Sequence, residues 1–286
     1  MSPVYRTFDQ EELDQQYNAQ ATVGDITPFI EMYAKGSEQA RASMDYEEAL
    51  SFGPSGEETL DLFPAGNDAP LFVFVHGGYW RALSKNESSF MAPCLAGHGI
   101  ATAAINYTLR PHASMDEITA EVCRAMAWLY HNGRRYGCDP ERMFVAGSSA
   151  GGHLGGMLVS GRWHAEFDVP ENIIKGGVLL SGLYELEPVR LCYSNEWVGL
   201  DQNSALRNSP QHHLPDVGCP LILSYGGSET DEFKRQSEDY AAAWRAAGFE
   251  ADCFEITERN HFDIPFELTE PGSVLMSKFL KMVKKS

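Results

Sequence analysis

Positive charge is scarce in this sequence. Its 22 lysines and arginines stand against 40 aspartates and glutamates, a net charge of −18. A nucleic-acid partner needs a clustered basic surface. The one dense basic run, Lys278, Lys281, Lys284 and Lys285, lies at the C-terminus, where cations complement the dipole of a last helical turn. No nucleic-acid partner is expected. Long apolar runs are missing too. None approaches the roughly 18 residues a membrane span needs, so no membrane association is expected. The opening MSPVYRTFDQEEL has no basic region followed by an apolar stretch, which excludes a signal peptide of the usual kind. The six cysteines form no CxxC pair, so no zinc site or disulfide frame is foreseen. These features together predict a cytoplasmic protein with reduced thiols. A GxxxxGK phosphate cradle is also lacking. The adjacent His212 and His213 have no acidic partner at metal-ligand spacing and read as surface-loop residues. No metal and no cofactor are expected.

What is present is a rhythm. Apolar residues make up 43% of 286 positions, enough for a sizeable core in a single domain. Leu71–Val75, Ile100–Ile105, Met143–Ala146, Val178–Leu180 and Leu221–Leu223 are apolar runs without alternation. Such runs suit strands buried on both faces, as in a parallel sheet. Ala251–Ile256 reads as a further, late strand. Helical segments lie between them: Met115–Tyr136, with Ile118, Val122, Ala125 and Leu129 on one face, then Phe233–Ala247 and Glu267–Val283. Ahead of these, Tyr46–Phe52 and Glu58–Phe63 read as antiparallel edge strands joined through Pro54, Ser55 and Gly56. The alternation predicts an α/β fold, with ligands bound at the carboxyl ends of the strands. Residues 1–45 read as an N-terminal helical extension packing over the domain. Residues 184–213 break the rhythm and read as a cap segment over the site, with a surface excursion as the alternative.

The motifs fall at strand ends. Gly147-Ser148-Ser149-Ala150-Gly151 is a GxSxG between the Met143–Ala146 strand and a helix from Ala150 to about Ser160. In that context it is a nucleophile elbow. The turn is so tight that the residues flanking the serine must be small, and the hydroxyl of Ser149 stands clear of the sheet. His76-Gly77-Gly78-Tyr79-Trp80 follows the Leu71–Val75 strand, the place of an oxyanion loop. The amides of Gly78, Tyr79 and Ala150 are the expected oxyanion donors. His76 is expected to brace that loop and not to act as a base.

A serine nucleophile needs a base and an orienting carboxylate, in this arrangement in the chain order Ser, acid, His. His261, after the Ala251–Ile256 strand and before the last helix, is the expected base. After the Leu221–Tyr225 strand two carboxylates compete, Glu229 and Asp231. On position alone Glu229 is favoured, with Asp231 the alternative at a helix start.

HGGYW at 76–80, GSSAGGHL at 147–154, ETDEFKRQS at 229–237 and NHFDI at 260–264 resemble the α/β-hydrolase kynurenine formamidases (arylformamidases), relatives of the hormone-sensitive-lipase-like esterases. The resemblance runs from about His76 to the C-terminus. Tyr79 stands where lipase-like esterases usually carry a third glycine. The resemblance implies an α/β-hydrolase fold, places the acid on Glu229, and implies removal of a small acyl group from an aryl amide or ester. Its small-molecule substrate would carry an aromatic or apolar leaving group, walled by candidates Tyr79, Trp80, Tyr107, Trp197 and Phe262. Two rival readings remain: a carboxylesterase acting on short acyl esters, and a non-catalytic relative that binds a ligand.

Overall fold

The computed structural model describes residues 3–286. Eight strands form one sheet: β1 (Glu47–Ser51), β2 (Thr59–Phe63), β3 (Ala69–Val75), β4 (Ala101–Ile105), β5 (Cys138–Ser148), β6 (Ile174–Leu180), β7 (Leu221–Gly226) and β8 (Ala251–Ile256). Their order is β1-β2-β4-β3-β5-β6-β7-β8. The β1–β2 and β2–β4 pairings are antiparallel and the rest are parallel. The apolar runs predicted this α/β sheet, and its strand order is that of the α/β-hydrolase fold, which the resemblance implied.

Those runs lack alternation because the sheet is covered on both sides. Along β3, Leu71, Val73 and Val75 join a core with Ile118, Val122, Leu154, Leu158 and Trp244. Phe72 and Phe74 point the other way, into a core with Phe90, Met276 and Phe279. The helices supplying these layers are Met115–Asn132, Ala150–Ser160, Asp231–Ala246 and Val274–Val283. The first starts at a capping box: Ser114 Oγ accepts from the amide of Glu117, and the Glu117 carboxylate accepts from the amide of Ser114.

Two expected helices are shorter than their patterns. Met115–Tyr136 ends as α-helix at Asn132, and a 3₁₀ turn carries Gly133–Tyr136 to Gly137 at φ +77°. A left-handed glycine there stops the helix at little cost. The stretch from Glu267 divides into a 3₁₀ turn, Ile264–Thr269, and the helix Val274–Val283. Pro271 and Gly272 lie between them, and proline removes an amide the helix would need.

Before the sheet lie the helices Gln10–Gln16 and Thr27–Ser43 with a 3₁₀ turn at Ala19–Thr22. Residues 184–213 hold three short helices, Glu187–Leu191, Asn195–Val198 and Gln202–Arg207. No helix among the described residues is long and apolar enough to cross a membrane.

Candidate active site

Strand β5 ends at Ser148 and the next helix begins at Ala150, so Ser149 alone makes the turn. Its φ and ψ are 58° and −119°, a strained conformation for a residue with a side chain, of the kind that clusters at functional sites. The surroundings explain the small neighbours. A Cβ on Gly147 would run into the carbonyl of Gly151, and one on Gly151 into the carbonyl of Val75. A Cβ on Gly77 would lie 2.8 Å from the Ser148 carbonyl and 3.4 Å from Ser149 Cβ. The elbow and the 76–80 loop are therefore pressed against each other.

That loop is built to present amides. Gly78 has φ +95°, and Tyr79 and Trp80 follow at +51° and +56°. Among the described residues, the amides of Gly78, Tyr79 and Ala150 donate to no protein acceptor. Three free donors beside one serine hydroxyl can stabilise charge on a substrate oxygen. His76 holds the loop from beneath. Its Nδ1 donates to the Gly77 carbonyl at 2.9 Å, and its ring stacks on Tyr107 at 4.1 Å. Burial lowers its pKa to about 4, which keeps it neutral and suits bracing.

His261 sits on the loop after β8. Its Nδ1 donates to Glu229 Oε2 at 2.7 Å. The other carboxylate oxygen of Glu229 accepts from Ser181 Oγ and from the amide of Gly226, both at 2.6 Å. Three donors thus converge on one buried carboxylate. Asp231, the alternative acid, is the first residue of the Asp231–Ala246 helix, exposed and unbonded to His261.

Ser149, His261, Gly78, Tyr79, Trp197 and Phe262 line one cavity of about 420 Å³. Two residues expected there are elsewhere. Trp80 is fully buried, with its indole Nε1 donating to His153 Nδ1 at 3.2 Å. Tyr107 is fully buried against His76, and its hydroxyl donates to the His76 carbonyl at 3.1 Å. Both support the loop from within the core instead of facing the cavity. His212 and His213 are exposed, as expected, and no metal-binding cluster is found among the described residues.

Other walls of the cavity carry no motif in the sequence. Asn18, Ile26, Ile30 and Tyr33 reach the cavity from the N-terminal segment, Arg81 from the loop and Tyr193 from the 184–213 segment. The hydroxyl of Tyr33 donates to the carbonyl of Phe262, beside His261. The sequence marks residues 1–45 as a helical extension over the domain, and no local pattern there shows that Ile30 and Tyr33 meet this cavity while Met32 stays exposed.

A family model described as BD-FAE matches residues 60–175. Kynurenine formamidase of Danio rerio is 30% identical over 296 residues, covering 99% of each chain. The chain belongs to the kynurenine formamidase family. A structure from Silicibacter sp. TM1040, provisionally named a thioesterase, is 30% identical with a TM-score of 0.82, covering 93% of this chain and 98% of its own. The Pyrobaculum calidifontis esterase shares the fold at 20% identity and a TM-score of 0.72, covering 100% and 98%. Like other members of the family, the chain is a hydrolase of the serine-hydrolase type, acting on esters or amides.

Proposed function

We propose that the chain is an aryl formamidase, cleaving N-formylkynurenine or a close analogue through Ser149, His261 and Glu229. One observation carries this reading. A histidine held by a buried carboxylate opens on the same cavity as a serine on a strained elbow. Membership of the kynurenine formamidase family supports the formamide as the bond cleaved.

Glu229 holds Nδ1–H of His261, which leaves Nε2 as the basic nitrogen. His261 takes the hydroxyl proton as Ser149 Oγ bonds to the formyl carbon. The carbonyl oxygen becomes an oxyanion facing the amides of Gly78, Tyr79 and Ala150. As the C–N bond breaks, His261 gives its proton to the leaving aryl amine. Water, deprotonated by the same histidine, then attacks the formyl-serine and releases formate. The aromatic rings of Tyr79, Tyr193, Trp197 and Phe262 wall the cavity and suit an aryl amine. The 184–213 segment, through Tyr193 and Trp197, serves as the cap of the site.

The test is a kinetic comparison of N-formyl-L-kynurenine with p-nitrophenyl acetate, in the native protein and in Ser149→Ala. The formamide is expected to have the higher kcat/KM. Ser149→Ala is expected to lower kcat by roughly 10⁶-fold, the scale of losing a serine nucleophile. A strong preference for the ester would favour the carboxylesterase reading. Full activity in Ser149→Ala would remove the nucleophile.

A further inference from the structure

We infer that Arg81 is the specificity-determining residue of this site, the one that holds a carboxylate on the leaving-group side of the substrate. The side assignment rests on the formamidase reading, because a formyl group has nowhere to carry a charge. The cation itself is read from the structure alone.

A chain of net charge −18 repels anions over most of its surface. Its arginines are mostly answered by acids. Arg235 pairs with Glu232 and Asp239, Arg259 with Glu267 and Glu270, and Arg207 with Asp116. Arg81 lines the cavity that holds Ser149 and His261. Among the described residues no carboxylate lies within 4 Å of its guanidinium. The nearby acids are committed elsewhere. Glu87, on the cavity wall, accepts from the amide and hydroxyl of Ser84 at 3.0 and 2.9 Å. Asp14 accepts from the Tyr193 amide at 2.7 Å and from Gln10 at 3.0 Å.

The guanidinium is nevertheless held in place. It lies 3.6 Å from the ring centre of Trp197. Trp197 is fixed in turn by edge contacts with Tyr79 and Tyr193, and its carbonyl accepts from Arg110 Nε at 3.2 Å. The backbone is equally constrained, since the Arg81 amide donates to the Gly78 carbonyl at 3.0 Å, and Trp80 before it is sealed in the core. Stacking uses the face of the guanidinium and leaves its in-plane N–H donors free. That fork matches the two oxygens of a carboxylate. A cation fixed on an aromatic face, beside the nucleophile and without an internal partner, is organised for an anionic ligand.

The test is direct binding by titration calorimetry, independent of turnover. The probes are 4-oxo-4-phenylbutanoate and its carboxamide, which differ only in charge. The native protein is expected to bind the carboxylate at least about tenfold more tightly, the scale of one charged hydrogen-bonded pair. Raising the salt should shrink the difference. Arg81→Ala should abolish it, and Arg81→Lys should restore part of it. Arg81 is exposed, so neither change threatens folding. Equal affinities in the native protein, binding of neither probe, or a preference that survives in Arg81→Ala would each overturn the inference. Failure of the formamidase reading shows separately, as absent turnover of N-formyl-L-kynurenine with the carboxylate preference intact.

Discussion

Trp80 Nε1 donates to His153 Nδ1 at 3.2 Å, and this bond ties the 76–80 loop to the helix that follows Ser149. The other ring nitrogen of His153 donates to the carbonyl of Asn208 at 2.7 Å. Nδ1 is an acceptor and Nε2 a donor, so the ring is neutral. Burial agrees, lowering His153 to about 4 from its ordinary 6.5. A second proton would set an N–H against the indole N–H.

Stability should therefore depend on pH. Both His76 and His153 are lowered to about 4 by burial. Above 6.5 the folded and unfolded chains carry the same protons at these rings, and no stability is lost. Between 6.5 and 4 the unfolded chain binds protons that the folded chain refuses. Each ring should then cost about 1.4 kcal/mol per pH unit as pH falls. Urea denaturation at pH 7 and pH 5 should show the loss. His164, also lowered by burial, adds a smaller part of the same sign, so His153→Gln should flatten the slope by somewhat less than half, and an unchanged slope would remove His153 as a source.

Glu229 accepts from three donors, and only a carboxylate can take all of them. In Glu229→Gln the amide meets donors with an N–H, and His261 loses its tautomer and aim. A fall in kcat of about 10³–10⁴-fold is expected, the scale seen when such an acid becomes an amide. Asp231→Asn should stay within about twofold, because that carboxylate is exposed and does not reach His261. Steady-state kinetics on both variants decides between the two acids, and the reverse pattern would transfer the role to Asp231.

The contrast between these residues shows what a sequence can carry. GxSxG, HGGYW and the late histidine are local patterns whose chemistry depends on a strand end, and strand ends are marked by where apolar runs stop. The two-sided sheet was legible for the same reason. Side-chain direction was not. Trp80 adjoins Tyr79 and Tyr107 follows a strand end, but left-handed backbone at Tyr79 and Trp80 turns the indole into the core, and Tyr107 stacks beneath the loop on His76. Ile30 and Tyr33 reach the cavity from over 110 positions before Ser149, through packing that no local spacing encodes. Arg81 carries no signal in the sequence, because its meaning lies in the ring of Trp197, set by a distant segment.

Gly151 follows from crowding alone. A methyl group there would run into the carbonyl of Val75, which is locked in a parallel strand. The strand cannot move without breaking ladder hydrogen bonds, and the helix cannot move without shifting the elbow beside it. Gly151→Ala should destabilise the fold by about 2 kcal/mol or more, with loss of activity. Gly248→Asn makes the control, at φ +94° with open space around it, and should cost at most about 1 kcal/mol. Thermal melts of both variants test the pair. Equal midpoints would mean that the elbow is looser than its contacts imply.

A clasp between Tyr33 and Phe262 joins the N-terminal segment to the loop that carries His261. The Tyr33 hydroxyl bonds to the Phe262 carbonyl, while its ring stacks on Phe90 at 5.1 Å. Tyr33→Phe removes only the hydroxyl and keeps the stack. About 1 kcal/mol of stability should go with the hydrogen bond. The larger effect should fall on kcat, because the freed carbonyl adjoins His261 and small misplacements of a base are costly. A drop of about tenfold is expected, with KM changed less, since Ile26 and Ile30 still wall the cavity. Activity and urea denaturation measured on one preparation separate the two effects. A stability loss with kcat unchanged would mean that the Glu229 bond alone aims His261, and that the N-terminal helix serves only as a wall.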